Sequence, residues 1–193
     1  MTQNQLLWLS FLQGDKAALS DIFLRFYDDL LRYGLRLTGN DNLVKDAIQD
    51  LFLKLWKNRS NLRSLDNLKP YLFKSLRHHI IDSLGLLKPS LPIENDFEHP
   101  FEIVYSAEDF VINEQVTEET RAKVIRALNR LKPRQREAIY LRYFEELDFE
   151  TIAMIMDINV QSVRNTLHRG MNVMRDLMLL QPFMILLHRI SFT

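Results

Sequence analysis

Six polar side chains lie on one side of a helical pattern near the C-terminus of the chain, and their types suit DNA reading. They are Gln161, Ser162, Arg164, Asn165, His168 and Arg169. Arg, Asn and Gln present forked donors and acceptors that match base edges, and a helix fits the major groove. The solvated face of an ordinary helical hairpin has a similar composition, so the pattern alone leaves both interpretations open.

A pair of helices joined by a short turn must position these six side chains. Asp148 is suited to cap a first helix that ends at Met156, residues 157–159 form the turn, and Asn159 is suited to cap a second helix. The small side chain of Ala153 allows the helices to cross closely. The side chains expected to face the core are Ile152, Ala153, Met156, Val163, Leu167 and Met171. We therefore predict a helix-turn-helix within residues 147–170.

Two further predicted helices, TEETRAKVIRALNRL and PRQREAIYLRYFEEL, precede this pair and carry many cations. The basic residues are Arg121, Lys123, Arg126, Arg130, Lys132, Arg134 and Arg136. The expected buried stripe of the first helix is Val124, Ile125, Leu128 and Leu131. Cationic side chains beside a reading helix suit contacts with phosphates, so this context favours DNA binding over a merely packed hairpin.

The formal net charge of zero hides an uneven distribution of charge. Residues 1–88 hold 13 basic and 9 acidic side chains, residues 89–120 hold 9 acidic and no basic ones, and residues 121–193 hold 12 basic and 7 acidic ones. Helical periodicity fails between residues 86 and 116, where prolines interrupt the chain. We predict a linker there, docked in part through its apolar residues, which are Phe97, Phe101, Ile103, Val104, Tyr105 and Phe110.

The composition predicts an all-α protein of two small helical domains joined by the acidic linker. Long helical periodicities and only 5 Gly and 6 Pro argue against strands. The expected division is a first domain at 1–88, the linker at 89–117, a second domain at 118–180 and an apolar tail at 181–193. The absence of Cys excludes disulfides and thiolate metal sites. Without an export signal or an apolar run of about 18 residues, the protein is expected to be cytoplasmic, with no membrane insertion.

The first domain is predicted to begin with helices at 3–13 and 15–38, the second capped by Asp15 and ended at residues 38–40. A further helix follows and has two distinct faces. Its apolar face is Val44, Ala47, Ile48, Leu51, Phe52, Leu55 and Trp56, and its other face is Asp46, Gln49, Asp50, Leu53 and Lys57. The last helix, 69–84, has Pro70 in its first turn and Lys74, Arg77 and His78 on one side.

The segment LNRLKPRQREAIYLRYFEELDFETIAMIMDINVQSVRNTLHRGMNVMRDL resembles region 4 of bacterial sigma factors. The segments LSDIFLRFYDDLLRYGLRLTGNDNLVKDAIQDLFLKLWKNRSNL and LKPYLFKSLRHHIIDSL resemble region 2. The small two-domain layout is similar to that of the extracytoplasmic-function group, and the resemblance covers about residues 6–178. It implies a helix-turn-helix that reads the −35 promoter element with the six polar residues named above.

The resemblance also assigns two surfaces to the first domain. It implies that the clamp helices of the polymerase β′ subunit are bound by Asp46, Gln49, Asp50, Leu53 and Trp56. Phe52, Leu55 and Trp56 are nonetheless expected in the core rather than in contact with a partner. It implies that the −10 element is read by a loop at residues 58–67 and by the helix that follows it. The loop captures a base flipped from the melted strand. The −10 candidates are Arg59, Asn61, Arg63, Lys69, Lys74, Arg77 and His78. Tyr71 and Phe73 are left open between stacking and the core.

The sequence departs from the family pattern in two places. An Arg/Lys-rich run usually follows the last region 2 helix, but this chain has SLGLLKPS, which predicts a weaker or regulated −10 interaction. Asp157 stands where Gly is common, at a turn residue that needs a left-handed backbone, which Asp tolerates. We also hypothesise that the acidic linker masks the DNA-binding surfaces of the free protein through Glu94, Asp96, Glu98 and Glu102.

The expected function is that of a sigma factor that binds core RNA polymerase and directs promoter-specific initiation. The alternative is a helix-turn-helix regulator that does not form holoenzyme. An enzyme is disfavoured because the sequence has no Gly-rich phosphate loop, HExxH motif or nucleophile elbow. No cofactor or metal is expected, since the pair His78-His79 lacks further ligands at metal spacing. The expected partners are core RNA polymerase and promoter DNA; the apolar tail either packs on the second domain or binds an anti-sigma factor or a second copy.

Overall fold

The computed structural model describes residues 2–65, 67–85, 101 and 118–178, and every regular element in these ranges is a helix. The predicted all-α class is confirmed. The chain divides into two compact units, Met1–Ser90 and Leu91–Thr193. None of the described helices combines the length and the apolar composition needed to cross a bilayer. The four acidic linker residues that are hypothesised to mask the DNA-binding surfaces lie outside the described residues, and so does the apolar tail at 181–193.

In its described residues, the first unit has four α-helices and a short 3-10 helix. They are α1 (Gln3–Leu12), α2 (Lys16–Thr38), α3 (Asp41–Asn58), the 3-10 helix Arg59–Asn61 and α4 (Leu68–Ser83). The predicted cap is confirmed, because the Asp15 carboxylate accepts a hydrogen bond from the Ala17 amide at 2.8 Å. The predicted stop is also confirmed, since Gly39 has a left-handed φ of 66°. Asn40 and Asn67 cap α3 and α4 in the same way as Asp15 caps α2.

The core of the first unit contains the predicted apolar face of α3 apart from its last residue. Val44, Ala47, Ile48, Leu51, Phe52 and Leu55 are buried. Trp56 was expected in the core but is only half-buried, because it lies at the edge of the α3 stripe next to the 3-10 helix. Phe73 is a core residue that stacks on Tyr33 with a centroid distance of 4.9 Å, while Tyr71 is half-buried. Of these two aromatic residues, which could either stack on a base or lie in the core, Phe73 is therefore a core residue, and the role of Tyr71 stays open.

The second unit contains α5 (Glu118–Asn129), α6 (Pro133–Tyr143), α7 (Phe149–Met156) and α8 (Val160–Met178). The residues expected to face the core on α7 are all buried, as are Val163 and Leu167 on α8. Ile125 and Met171 were expected inside but are half-exposed, whereas Ile155 and Met174 are fully buried and were not predicted. The buried stripe therefore turns gradually around each helix axis, since 3.6 residues per turn do not repeat evenly every four.

The only described residue of the predicted linker, Phe101, belongs to the core of the second unit. Its side chain has 0% exposure, and its ring centroid lies 6.0 Å from that of Tyr140 on α6. Tyr140 is itself buried and donates its hydroxyl to the Glu145 carboxylate. The prediction that apolar residues of the linker dock in part is confirmed at this position.

Helix α2 packs closely on its neighbours at Gly34, so we predict that Gly34→Ala destabilises the first unit. A Cβ at this position would lie 2.4 Å from Cγ1 of Val44, a stiff β-branched side chain that cannot swing away. Overpacking of a core costs about 1–3 kcal/mol, from which the better helix propensity of Ala subtracts up to about 1 kcal/mol. The measurement is urea unfolding followed by the fluorescence of Trp8 and Trp56, which both lie in this unit.

The matched control for this substitution is Ser20→Ala, which changes an exposed position of the same helix. We expect its free energy of unfolding to stay within about 0.5 kcal/mol of wild type. A Gly34→Ala protein as stable as this control would contradict the argument from close packing.

Candidate DNA and protein interfaces

The exposed side of α8 brings the six predicted DNA-reading residues together. Gln161, Arg164, Asn165, His168 and Arg169 are exposed and Ser162 is half-exposed. Gln161 donates a hydrogen bond from Nε2 to Oδ1 of Asn165 at 3.1 Å, and Nδ2 of Asn172 lies 3.4 Å from Nδ1 of His168. These pairs align amide and imidazole groups along one helix face, which is the arrangement that can present donors and acceptors to successive base edges.

Caps at both helices hold the turn that aims this face. Asp148 accepts a hydrogen bond from the Thr151 amide at 2.7 Å, and the bonds from Thr151 hold the pKa of the Asp148 carboxyl below its usual range. Asn159 accepts from the Ser162 amide at 2.7 Å, as predicted. Asp157 has φ 56° and ψ 49°, so the expected left-handed turn residue is confirmed. The α7–α8 pair therefore has the geometry of the predicted helix-turn-helix.

An aromatic side chain that the sequence analysis did not identify supports the first arginine of this face. The Arg164 guanidinium carbon lies 5.4 Å from the ring centroid of Phe149 at the start of α7, and that of Arg142 lies 5.0 Å from the same ring. Arg142 also donates to the Leu147 carbonyl at 2.8 Å. Cation–π contacts of this kind restrict a long side chain that would otherwise sample many rotamers. Phe149 is 15 positions before Arg164, so no helical periodicity connects the two.

Gly170 allows α8 to lie close against α6. A Cβ there would lie 3.0 Å from Cδ1 of Ile139 and 3.4 Å from Cβ of Gln135. Because Gly170 follows Arg169 directly, the exposed polar face and the packing face of α8 include adjacent residues.

The second candidate surface lies on α3, where four of the five predicted polymerase-binding residues are exposed. They are Asp46, Gln49, Asp50 and Leu53, and Leu53 has 59% exposure. The fifth residue, Trp56, is half-buried and lies under the Arg59 guanidinium at 4.2 Å from the ring centroid.

An apolar groove between α2 and α3 extends this surface. The groove encloses about 590 Å³, and Gln49, Leu53 and Trp56 line it together with Phe23 and Tyr27 of α2. The α2 residues were not predicted as part of the site, since nothing in the α2 pattern distinguishes a groove wall from an ordinary half-buried face. The α2–α3 groove, whose lining includes Lys16 and Lys45, and the α3 face with Asp46 and Asp50 together form a mixed apolar and charged surface, which suits a protein partner.

Asp50 on this surface contacts the neighbouring helix α4. Its carboxylate oxygen lies 3.3 Å from Nε2 of His79, whose Nδ1 lies 3.1 Å from Nζ of Lys54. From the sequence, His79 is expected to be an ordinary helix residue rather than a metal ligand. In the described part of the chain no group of three or more His, Cys, Asp or Glu residues is arranged to hold a metal ion.

The seven −10 candidates differ in exposure and in the contacts that they make within the protein. Asn61 and Arg63 are exposed in the 58–67 loop, whereas Arg59 donates to the Trp56 carbonyl at 2.8 Å. Lys69 forms an ion pair with Asp29 at 3.2 Å. Lys74, Arg77 and His78 are half-buried on α4 and each makes contacts within the protein.

A cleft between α3 and α4 lies next to these candidates and contains one of them. It encloses about 420 Å³ and is lined by Lys54, Asn58, Tyr71, Ser75 and His78, among others. Burial raises the pKa of the Tyr71 phenol, so this group remains neutral over the physiological range. An aromatic ring beside amide, hydroxyl and cationic groups is the chemistry that binds an unstacked base. Asn58 is the first residue of the predicted 58–67 loop, whereas Lys54 and Ser75 were not predicted, because they lie on two separate helices.

Comparisons with known proteins identify the class to which this fold and these surfaces belong. Residues 22–85 match the family described as Sigma-70 region 2, and residues 121–174 match the family described as Sigma-70, region 4. RNA polymerase sigma factor YlaC of Bacillus subtilis is 26% identical over 154 residues, which cover 79% of this chain and 87% of YlaC. ECF RNA polymerase sigma factor SigE of Mycolicibacterium smegmatis is 28% identical over 177 residues, which cover 84% of this chain and 63% of SigE.

A solved structure has a similar fold. It is the sigma factor RpoE of Bartonella quintana in complex with the anti-sigma factor NepR, with a TM-score of 0.53 and 22% identity over 84% of this chain and 97% of that one. The matched regions and relatives define an RNA polymerase sigma factor of the sigma-70 family. Within it, the chain belongs to the extracytoplasmic-function group.

The N-terminal cap of α8 should contribute directly to the order of the reading helix. We expect Asn159→Ala to remove the hydrogen bond to the Ser162 amide and to cost about 1 kcal/mol of local stability. Hydrogen exchange of the Ser162 and Val163 amides, followed by NMR, should then be about fivefold faster. Asn159→Ser is the matched control and should keep most of the protection, and equal exchange in the two variants would contradict a capping role.

Proposed function

We propose that this sigma factor binds core RNA polymerase through the exposed α3 face and the α2–α3 groove and that it reads promoters with α8 and the region around α4. The observation that carries the proposal is the occurrence, in one chain and in this order, of region 2 with a free α3 face and region 4 with a polar reading helix. Core RNA polymerase resides in the cytoplasm, which is where this function requires the protein to be.

The proposed polymerase contact is made by Asp46, Gln49, Asp50, Leu53 and Trp56 with the clamp helices of β′. A partner helix presents apolar and charged positions, which complement a groove with leucine and tryptophan on its wall and the exposed carboxylates of Asp46 and Asp50 on the neighbouring α3 face. Leu53 is the proposed anchor because it is a large apolar residue with 59% exposure beside the groove.

The proposed −35 reader is the exposed face of α8. Arg164 and Asn165 are the candidates for base contacts because their forked groups match purine edges, and Arg164 is steadied by Phe149. The cations of α5 and α6 would contact phosphates and add affinity without sequence preference.

The proposed −10 site is the 58–67 loop together with the α3–α4 cleft. The pairing of Lys69 with Asp29 leaves less cationic charge for the melted strand than the residue types alone imply. This agrees with the weaker or regulated −10 interaction expected from the segment that follows α4. An anti-sigma factor is a further proposed partner, supported by the complex of the structurally similar RpoE with NepR.

The second candidate function, a DNA-binding regulator without polymerase, is disfavoured by the first unit. A regulator of that kind has no need for a region 2 domain with an exposed leucine beside a groove. No catalytic step is assigned to the chain, since the proposed role consists of binding polymerase and promoter DNA.

Leu53→Glu should weaken binding to core RNA polymerase by at least tenfold, because it places a charge at the proposed apolar anchor. The measurement is a titration of core polymerase with labelled protein, together with RNA synthesis from genomic promoter fragments. The matched control is Leu6→Glu, which changes an exposed leucine of α1 outside the proposed surface.

Equal losses in the Leu53 and Leu6 variants would contradict the assigned surface. A wild-type protein that neither binds core polymerase nor starts RNA from any genomic promoter would overturn the proposed function itself.

Arg164→Ala should reduce the preference for specific −35 DNA over random duplex by about 1–3 kcal/mol, because a base contact carries sequence information. Lys123→Ala is the matched comparison and should weaken binding to both DNAs alike, with a smaller salt dependence. Equal effects of Arg164→Ala on specific and random DNA would assign Arg164 to the phosphate backbone instead.

A further inference from the structure

Trp8 of α1 makes a hydrogen bond to the distant 58–67 loop. Its indole Nε1 donates to the backbone carbonyl of Arg63 at 2.9 Å, across 55 positions of the sequence. Trp8 has only 1% exposure, so without this acceptor its N–H group would be buried and unsatisfied. The match to region 2 begins at residue 22, so α1 lies before the matched segment.

Further contacts of α1 reach both ends of the same loop. The Trp8 ring centroid lies 5.8 Å from that of Tyr71 on α4, and the Phe11 centroid lies 6.4 Å from that of Trp56 on α3. Trp8 and Phe11 also pack on each other at 4.9 Å. The first helix therefore connects the end of α3, the loop and the start of α4 through one aromatic cluster.

The described residues of the 58–67 loop have little regular structure and few backbone hydrogen bonds that would fix their conformation. After the 3-10 helix Arg59–Asn61, residues 62–65 have no regular structure. The Leu62 amide donates to the Arg59 carbonyl at 3.2 Å, and Asn67 caps α4. A loop of this kind loses conformational entropy when it binds a flexible strand, and prior ordering lowers that cost.

We propose that Trp8 is a positioning residue for −10 recognition, holding the Arg63 backbone so that the exposed side chains of the loop face the melted strand in one arrangement. This inference rests on the proposed −10 site. Trp8 acts through the loop and does not itself touch DNA, since its side chain is buried. The N-terminal helix thereby contributes to promoter selectivity as well as to the core of the first unit.

The test uses the full chain bound to core RNA polymerase and a DNA pool with a randomised single-stranded segment beside a fixed duplex. The sequence that wild type selects is then compared with its single-base substitutions. Trp8→Phe keeps a buried ring but removes the N–H donor. We expect it to bind the selected strand about three- to tenfold more weakly and to discriminate less between bases. Affinities for core polymerase and for −35 duplex should be unchanged.

The matched control is Phe11→Leu, which alters packing in the same aromatic cluster but removes no hydrogen bond. It should lower the stability of the unit while leaving base discrimination intact. If Trp8→Phe discriminates between bases as wild type does, or if Phe11→Leu loses discrimination equally, the inference is overturned. If wild type selects no sequence from the pool, the proposed −10 site fails and this inference fails with it. If wild type does select a sequence, the −10 site stands, and the two variants then test the role of Trp8 alone.

A second measurement does not depend on a variant that folds. The chain has two tryptophans, so NMR shows two indole N–H signals. The Trp8 proton should exchange with solvent at least tenfold more slowly than that of the half-buried Trp56, because it is buried and bonded to Arg63. Equal exchange rates would contradict the hydrogen bond and thereby the inference.

Discussion

The helices α3 and α8 are each held by a single buried stripe, since their opposite sides are exposed. On α8 the stripe includes Val163 and Leu167, and on α3 it includes Ile48 and Leu55. Such a helix cannot gain stability from a second buried face, so the packing on its one buried side must be close. The contact at Gly170 meets this requirement, since an added methyl group would meet Ile139 at 3.0 Å. The exposed sides of these helices and the close packing of their buried sides thus have the same cause, which is that each helix has only one buried face.

Local signals explain what could be predicted from the sequence. The caps at Asp15, Asp148 and Asn159 were predictable because a side-chain oxygen just before a periodic apolar run satisfies amides within three residues of itself. The exposure of the polar face of α8 followed from the same periodicity. Trp56 and Ile125 were expected to be buried but are half-exposed. The width of a buried stripe depends on the neighbouring helices, and a single helical pattern does not contain them.

Contacts between residues on different helices could not be predicted from the helical periodicity of the sequence. Asp50 meets His79, Asp29 pairs with Lys69, and Trp8 reaches a backbone carbonyl because of how the helices cross. The charge on Lys69 is consequently committed within the unit, although its residue type and position favoured DNA. The six α8 residues share one face of a single helix, as predicted, whereas the −10 candidates come from a loop and a second helix. Sites assembled within one helix are therefore more predictable than those assembled between helices.

The burial of Phe101 against Tyr140 shows that the core of the second unit includes a residue that precedes both the family match and α5. The family match starts at residue 121 and the first described helix of the unit starts at Glu118, so both boundaries omit a side chain of its core. A fragment cut at either point would expose one face of the Tyr140 ring and lose an aromatic contact worth about 0.5–1.5 kcal/mol beyond its buried area. The residues that the sequence marks as a spacer thus include a part of the folded domain, and an excised DNA-binding module needs that part to be complete.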